Sequence, residues 1–269
     1  MKKFKKIITG IFVLTCLLSC NIDEKDSDIV RVNETTLCAR WMVVGSSDFE
    51  SFEFNENGHY IVVKDTSVES SGERVTFGTY EILDDNSIQL FDFGTLAVSG
   101  ISETSIRFSI RPLSNLDSVV VINASKHDEL ERSINTDLLC RSWEVISFGD
   151  EAMSNMYIIF SRTGSYLVNA VVEGKEITRL GVWSWCNADQ NKLAFTIDNV
   201  LDCDGVDIIK EIQLTSSMFF GIDMENIDPK ELIMQPAFYV KPELLVSNKA
   251  GVTIMGVENQ LNDWNDVNR

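Results

Sequence analysis

One seven-residue pattern occurs twice in this chain. The first copy is Phe54-Asn-Glu-Asn-Gly58-His-Tyr60 and the second is Phe160-Ser-Arg-Thr-Gly164-Ser-Tyr166. Each reads aromatic, three mostly turn-forming residues, glycine, a polar residue, tyrosine. Apolar alternation flanks both copies, which predicts a β-hairpin with glycine at the position that needs a positive φ. A single copy would specify one hairpin. Two copies with matching neighbours specify a duplicated unit.

The match runs well beyond the hairpin. Leu37-Cys38-Ala39-Arg40-Trp41 corresponds to Leu139-Cys140-Arg141-Ser142-Trp143, and Gly78-Thr79-Tyr80 to Gly181-Val182-Trp183. Further on, Asn86 to Leu90 corresponds to Asn191 to Phe195, and Ile101 to Phe108 to Ile212 to Phe219. The offset between copies drifts from 102 to 111 residues, as small loop insertions between shared strands would produce.

Within the first copy, short apolar stretches alternate with turn formers. Strands are expected at 41–45, 51–55, 59–64, 74–82, 87–91, 96–101, 106–110 and 119–122. Sequential hairpins without intervening helices favour an up-and-down meander, and closure into a barrel removes both open edges. The fold class expected is therefore all-β, two tandem small antiparallel meander barrels. Between the copies, Ser125 and Asp128 suggest a cap for one or two helical turns. After the second copy, residues 235–240 read as a strand and 252–255 as an edge strand.

The order L-x-x-x-W, F-x3-G-x-Y, G-x-W/Y and I-x-x-T-S-x-x-F resembles the small lipocalin-like domains of bacterial lipoproteins. The resemblance covers about residues 34 to 124 and 137 to 240, and implies a calycin-type barrel of eight strands in each copy. The chain departs from the family pattern at Ala39 and Arg141, where glycine is common. The division expected is a signal peptide at 1–19, a lipidated acidic tether at 20–33, and the first repeat at 34–124. A connector at 125–136, the second repeat at 137–246 and a tail at 247–269 follow.

The first nineteen residues read as an export signal. Lys2, Lys3, Lys5 and Lys6 precede a short apolar run from Ile7 to Leu18. Leu17-Leu18-Ser19-Cys20 resembles the bacterial lipobox, which implies cleavage before Cys20 and acylation of that cysteine. Cleavage there removes four lysines and no acids, taking the formal charge from -18 to -22. Such a chain repels nucleic acid and anionic headgroups, so the expected partner at the membrane is lipid, held through Cys20. The acidic stretch after Cys20 resembles the surface-export signals of lipoproteins from the Bacteroides group and also reads as a plain solvated linker. The expected location is the outer membrane of the cell envelope, with the periplasmic and surface faces both open.

Of the remaining cysteines, Cys38 and Cys140 hold equivalent repeat positions and read as small buried residues in different domains. Whether Cys186 and Cys203, which flank one hairpin, are paired stays open. No CxxC or other metal signature occurs, and no cofactor is expected. His59 has Ser165 as its counterpart and reads as a solvated turn residue; His127 reads as exposed. The acidic run from Asp202 to Asp207 lacks the ligand spacing of a calcium loop and reads as a solvated turn. No nucleophile elbow or paired buried carboxylates appear, so an enzyme is the least favoured class.

Two other classes stand ahead of it. One is a non-catalytic binding module for a small apolar molecule, a glycan or an envelope protein. The other is a structural or accessory subunit with filled barrels. If a ligand site exists, the second copy is the expected place. Trp183 and Trp185 share one strand face and form a candidate apolar wall, with Arg179 on the same face, and Met218 and Phe219 nearby.

Overall fold

The computed structural model describes residues 31–65, 74–83, 85–115, 117–172, 175–197, 200–225, 228–237, 253–254 and 257–258. The expected signal, Cys20 and most of the expected tether and tail lie outside the described residues. A one-turn helix, α1 (Glu34–Leu37), opens the first repeat, with Asn33 as its cap. Eight strands follow: β1 (Ala39–Val43), β2 (Phe49–Phe54), β3 (His59–Lys64), β4 (Val75–Ile82), β5 (Ser87–Leu90), β6 (Gly94–Ile101), β7 (Ser105–Pro112) and β8 (Val120–Lys126). Each pairs antiparallel with the next, and β8 returns to β1, so the sheet closes into a barrel.

The second repeat begins with α2 (Ile134–Leu139), then β9 (Ser142–Phe148), a two-residue flap β10 (Glu151–Ala152), β11 (Met156–Phe160), β12 (Ser165–Val172) and β13 (Lys175–Trp185). It continues with β14 (Leu193–Thr196), β15 (Ile208–Leu214), β16 (Phe219–Asp223) and β17 (Lys230–Pro236). Here β17 returns to β9, so this sheet also closes, with β10 lying outside the ring on β9. The chain is thus two antiparallel barrels of eight strands in tandem. A small hairpin, β18 (Thr253–Ile254) and β19 (Val257–Glu258), forms a sheet of its own among the described residues, so the expected edge strand does not extend a barrel there.

The repeated residues occupy repeated positions. Phe54 faces Tyr60 across the first hairpin and Phe160 faces Tyr166 across the second. Gly58 and Gly164 both have positive φ, +74° and +78°, as the turn requires. Trp41 and Trp143 are fully buried, and each indole N–H donates to a leucine carbonyl four residues back, Leu37 at 2.9 Å and Leu139 at 2.8 Å. A short helix therefore plugs each barrel floor and is pinned there by tryptophan. Tyr80 and Trp183 are equivalent, and both donate to the hairpin carbonyl beneath them, Asn55 O and Ser161 O, each at 3.0 Å. The position needs a large ring with a donor at its tip, which both residues supply. Arg141 lays its guanidinium 5.6 Å from the Trp143 ring centroid.

Two corrections concern the segments between and after the barrels. The expected helix at Ser125 does not form, because β8 runs on through Lys126; the helix starts nine residues later and is capped by Ser133. The last barrel strand ends at Pro236, with Ala237 N–H donating to Ser142 O; residues 238–240 lie outside the described residues.

Strand burial separates free faces from joined ones. In β7, Ile106, Phe108 and Ile110 point inward and their neighbours face solvent, a plain alternation. In β3 the inward residues Tyr60 and Val62 alternate with His59, Ile61 and Val63, yet all five are buried. The outward face of β3 is covered by the second barrel. Ile61 and Val63 form one cluster with Ile159 and Leu167, flanked by Val75, Phe77 and Leu180. The barrels therefore pack through equivalent strands, β3 and β4 against β11, β12 and β13.

Candidate functional site

The barrel interiors are filled. Trp41, Phe52, Phe54, Tyr60 and Phe108 occupy the first, and Trp143, Phe160, Tyr166, Trp183 and Phe219 the second. T-shaped contacts, such as Phe52–Phe108 at 4.9 Å and Phe160–Trp183 at 5.5 Å, lock these rings together. Room for a ligand is found instead at the open end of the first barrel. There a cup of about 480 Å³ sits above the packed rings, within the size range of small-molecule sites.

The cup is built from strand ends. Phe49 at the start of β2 and Phe93 just before β6 make its apolar floor, 6.1 Å apart edge-on, with Val120 of β8 beside them. Lys64 at the end of β3 pairs with Phe49 across the sheet and brings one positive charge to the rim. Asp48, Asp65 and Asp92 bring negative charge to it. Asp92 holds a positive φ of 64° in the turn between β5 and β6. Burial, together with the negative charge of Asp92, pushes the Tyr60 phenol well above its usual range, so it stays neutral and donates to Phe91 O at 2.7 Å. The cup thus offers an apolar floor and a charged rim, chemistry that desolvates an apolar body and orients a polar end.

Among the described residues, the five residues expected to form a pocket in the second copy take different places. Trp183 and Phe219 are fully buried in its core, and Trp185 packs against that core. Trp183 and Trp185 do share a strand face, with rings 5.6 Å apart in a T-shape. The Trp185 N–H is used by Thr136 Oγ1 at 3.0 Å, so the pair seals the barrel floor against α2 instead of walling a cavity. Arg179 is half-buried on the inward face of β13, opposite Val168, and Met218 is 42% exposed. The physical reason is size: two indoles fit the barrel end only by filling it.

The junction between barrels is the feature sequence reasoning missed. His59, expected in solvent, is 3% exposed and stacked on Phe77 at 5.5 Å between ring centroids. Burial lowers its pKa to about 4, so the imidazole is neutral at neutral pH. Ser165 Oγ donates to Glu53 Oε2 at 2.6 Å across the junction. Arg162 reaches Asp137 at 2.6 Å and Glu56 at 3.4 Å, tying the two hairpin tips together.

Cys38 and Cys140 belong to different barrels, as expected, but line one small cavity at the junction with Phe54, Phe160 and Arg162. At about 30 Å³ it has room for about one water. Both thiols are free. Burial pushes Cys38 up to about 11 and Cys140 up to about 12, so both are held as unreactive thiols.

Cys186 and Cys203 form a disulfide across the base of the β14–β15 region. The acidic run they border is an exposed turn in which Asp204 N–H donates to Asp202 Oδ1 at 2.9 Å. Among the described residues, no cluster of three His, Cys, Asp or Glu side chains is placed to hold a metal.

No known protein family matches the chain, and no curated protein matches it either.

Proposed function

We propose that this protein is a non-catalytic binding module, anchored by lipid at Cys20 in the bacterial cell envelope, that takes a small ligand in the mouth of its first barrel. The observation that carries this reading is the cup of about 480 Å³ above the packed rings, with Phe49, Phe93 and Val120 on its floor. The lipobox-like Leu17-Leu18-Ser19-Cys20 and the basic start support the anchor. The high negative charge supports a ligand other than nucleic acid. A ligand with an apolar body and a polar or cationic end fits the floor and the aspartate-rich rim.

The filled interior of the second barrel supports a second reading, in which that barrel serves as a structural partner holding the first. Both readings place binding in the first repeat. The test is titration of the full mature chain with N-phenyl-1-naphthylamine, an apolar dye that fluoresces on leaving water. Saturable binding is expected, lost in Val120→Trp, which fills the cup, and kept in Met218→Ala. Equal dye binding by Val120→Trp would refute the site.

A further inference from the structure

One side of the first barrel carries no acid. Strands β5, β6, β7 and β8, and β1 next to β8, contain no aspartate or glutamate, although the chain has 41. Asp85, Asp92, Glu103 and Asp117 stand in the turns beyond the strand ends. The equivalent strands of the second barrel carry Glu144, Glu211, Asp223 and Glu231 together with Lys210 and Lys230, so these positions accept charge of either sign. In the first barrel β7 lies four strands round from β3, so the acid-free side points away from the second barrel.

The charge on this side is positive and unopposed. Arg107 and Arg111 are exposed on the outer face of β7, about 13 Å apart along the strand. Among the described residues neither makes an ion pair, whereas Arg74, Arg132 and Arg162 each reach an acid. Arg107 lies opposite Asn123, and Ser109 opposite Val121. Val121 is 56% exposed, and Val119 and Val44 are exposed beside it. The chain enters at one edge of this face, where Val32 N–H donates to Asn86 Oδ1 at 3.2 Å just before β5.

We infer that this face is the one the anchored protein lays on a bilayer containing anionic phospholipid, with Arg107 and Arg111 on headgroup phosphates and Val119 and Val121 at the interface. The inference rests on the proposed anchor at Cys20. Arg31 is eleven positions from Cys20. That length reaches at most about 40 Å, which keeps the first barrel beside the bilayer. Charge then selects the side. The net negative charge of the mature chain repels an anionic surface from a distance, so this face does not recruit the protein. Within a screening length of about 8 Å the facing side chains decide, and on this side those are arginines without acids. Guanidinium groups grip phosphate through paired N–H donors, and exposed aliphatic side chains gain by leaving water at the interface.

The test couples the full mature chain through Cys20 to a maleimide phospholipid in vesicles. Its outcome then does not depend on acylation in the cell, which fractionation of Cys20→Ala tests separately. Arginine modification by phenylglyoxal is followed by mass spectrometry, in vesicles of phosphatidylcholine alone and of equal parts phosphatidylcholine and phosphatidylglycerol. Phosphatidylglycerol is expected to slow modification of Arg107 and Arg111 about fivefold, the effect of one basic contact with an anionic surface. Arg132, on the connector, is expected to react alike in both. Val121→Glu puts an acid at an exposed position of the face, leaves the core untouched, and is expected to abolish protection of both arginines. Equal modification in the two vesicles, equal slowing at Arg132, or protection that survives Val121→Glu would overturn the inference. So would equal protection by soluble polyglutamate over phosphatidylcholine vesicles, which would assign the face to an acidic polypeptide.

Discussion

Ser165 and Glu53 lie 112 positions apart, yet the serine hydroxyl donates to the glutamate at 2.6 Å with both residues buried between the barrels. Glu53 Oε1 has no hydrogen-bond partner among the described residues, so this hydroxyl is the bond that its side chain makes there. Ser165→Ala leaves a buried carboxylate unsatisfied and is expected to cost about 1–3 kcal/mol in urea unfolding. In the Glu53→Gln background the same change is expected to cost less, because the pair acts as a unit. Additive effects would mean that the contact does not join the barrels.

His59 makes stability depend on pH. Its folded pKa, about 4, lies below the unfolded value near 6.5, so the unfolded chain binds the proton more tightly. The contribution of the neutral imidazole is full above about pH 6.5 and is lost as pH falls toward 4, by at most about 3 kcal/mol. Subtracting the stability curve of His59→Gln from that of the wild type isolates this term from the carboxylates. A flat difference between pH 4 and 6.5 would contradict burial of the imidazole.

Gly78 and Gly181 are equivalent glycines beneath Tyr60 and Tyr166, and they separate two kinds of crowding. A Cβ at Gly78 meets Tyr60 ring atoms at 2.8 Å, whereas one at Gly181 also meets the Thr196 carbonyl at 2.5 Å. A ring can tilt; a paired backbone cannot move without breaking the sheet. Both alanine variants are expected to destabilise, Gly181→Ala by about 2–3 kcal/mol and Gly78→Ala by less. Denaturant midpoints with unchanged slopes would measure the difference, and the reverse order would contradict the packing described.

Much of the fold is legible in the sequence because local chemistry dictates it. Gly58 and Gly164 must sit at positive φ, and Trp41 and Trp143 recur at one distance from a leucine, so the repeat reads directly as repeated barrels. The junction is legible only in hindsight. Tyr60 to Val63 and Tyr157 to Phe160 are unbroken apolar runs, the mark of strands buried on both faces. Read as ordinary barrel strands, they hide the interface and leave His59 misassigned to solvent. The mouth was missed for another reason. Its floor residues Phe49 and Phe93 lie at strand ends, where closure of the sheet brings them together and periodicity has nothing to say. The second copy's indoles read as a pocket in the sequence because large aromatic residues mark pockets and cores alike, and only volume distinguishes them.

The proposed anchor at Cys20 is tested by fractionation. The cleaved form of Cys20→Ala is expected in the soluble fraction, since a chain of such negative charge has no attraction for anionic headgroups. Tight membrane association of that form would require a second anchor.

The proposal that the first barrel's mouth is the binding site is tested most directly by retention of natural ligands. The full mature chain would be dialysed against an extract of envelope lipids and small molecules, and whatever stays bound would be identified by mass spectrometry. The account predicts a defined set of compounds with apolar bodies, retained by the wild type and by Met218→Ala and absent from Val120→Trp. The same compounds retained equally by Val120→Trp would contradict it.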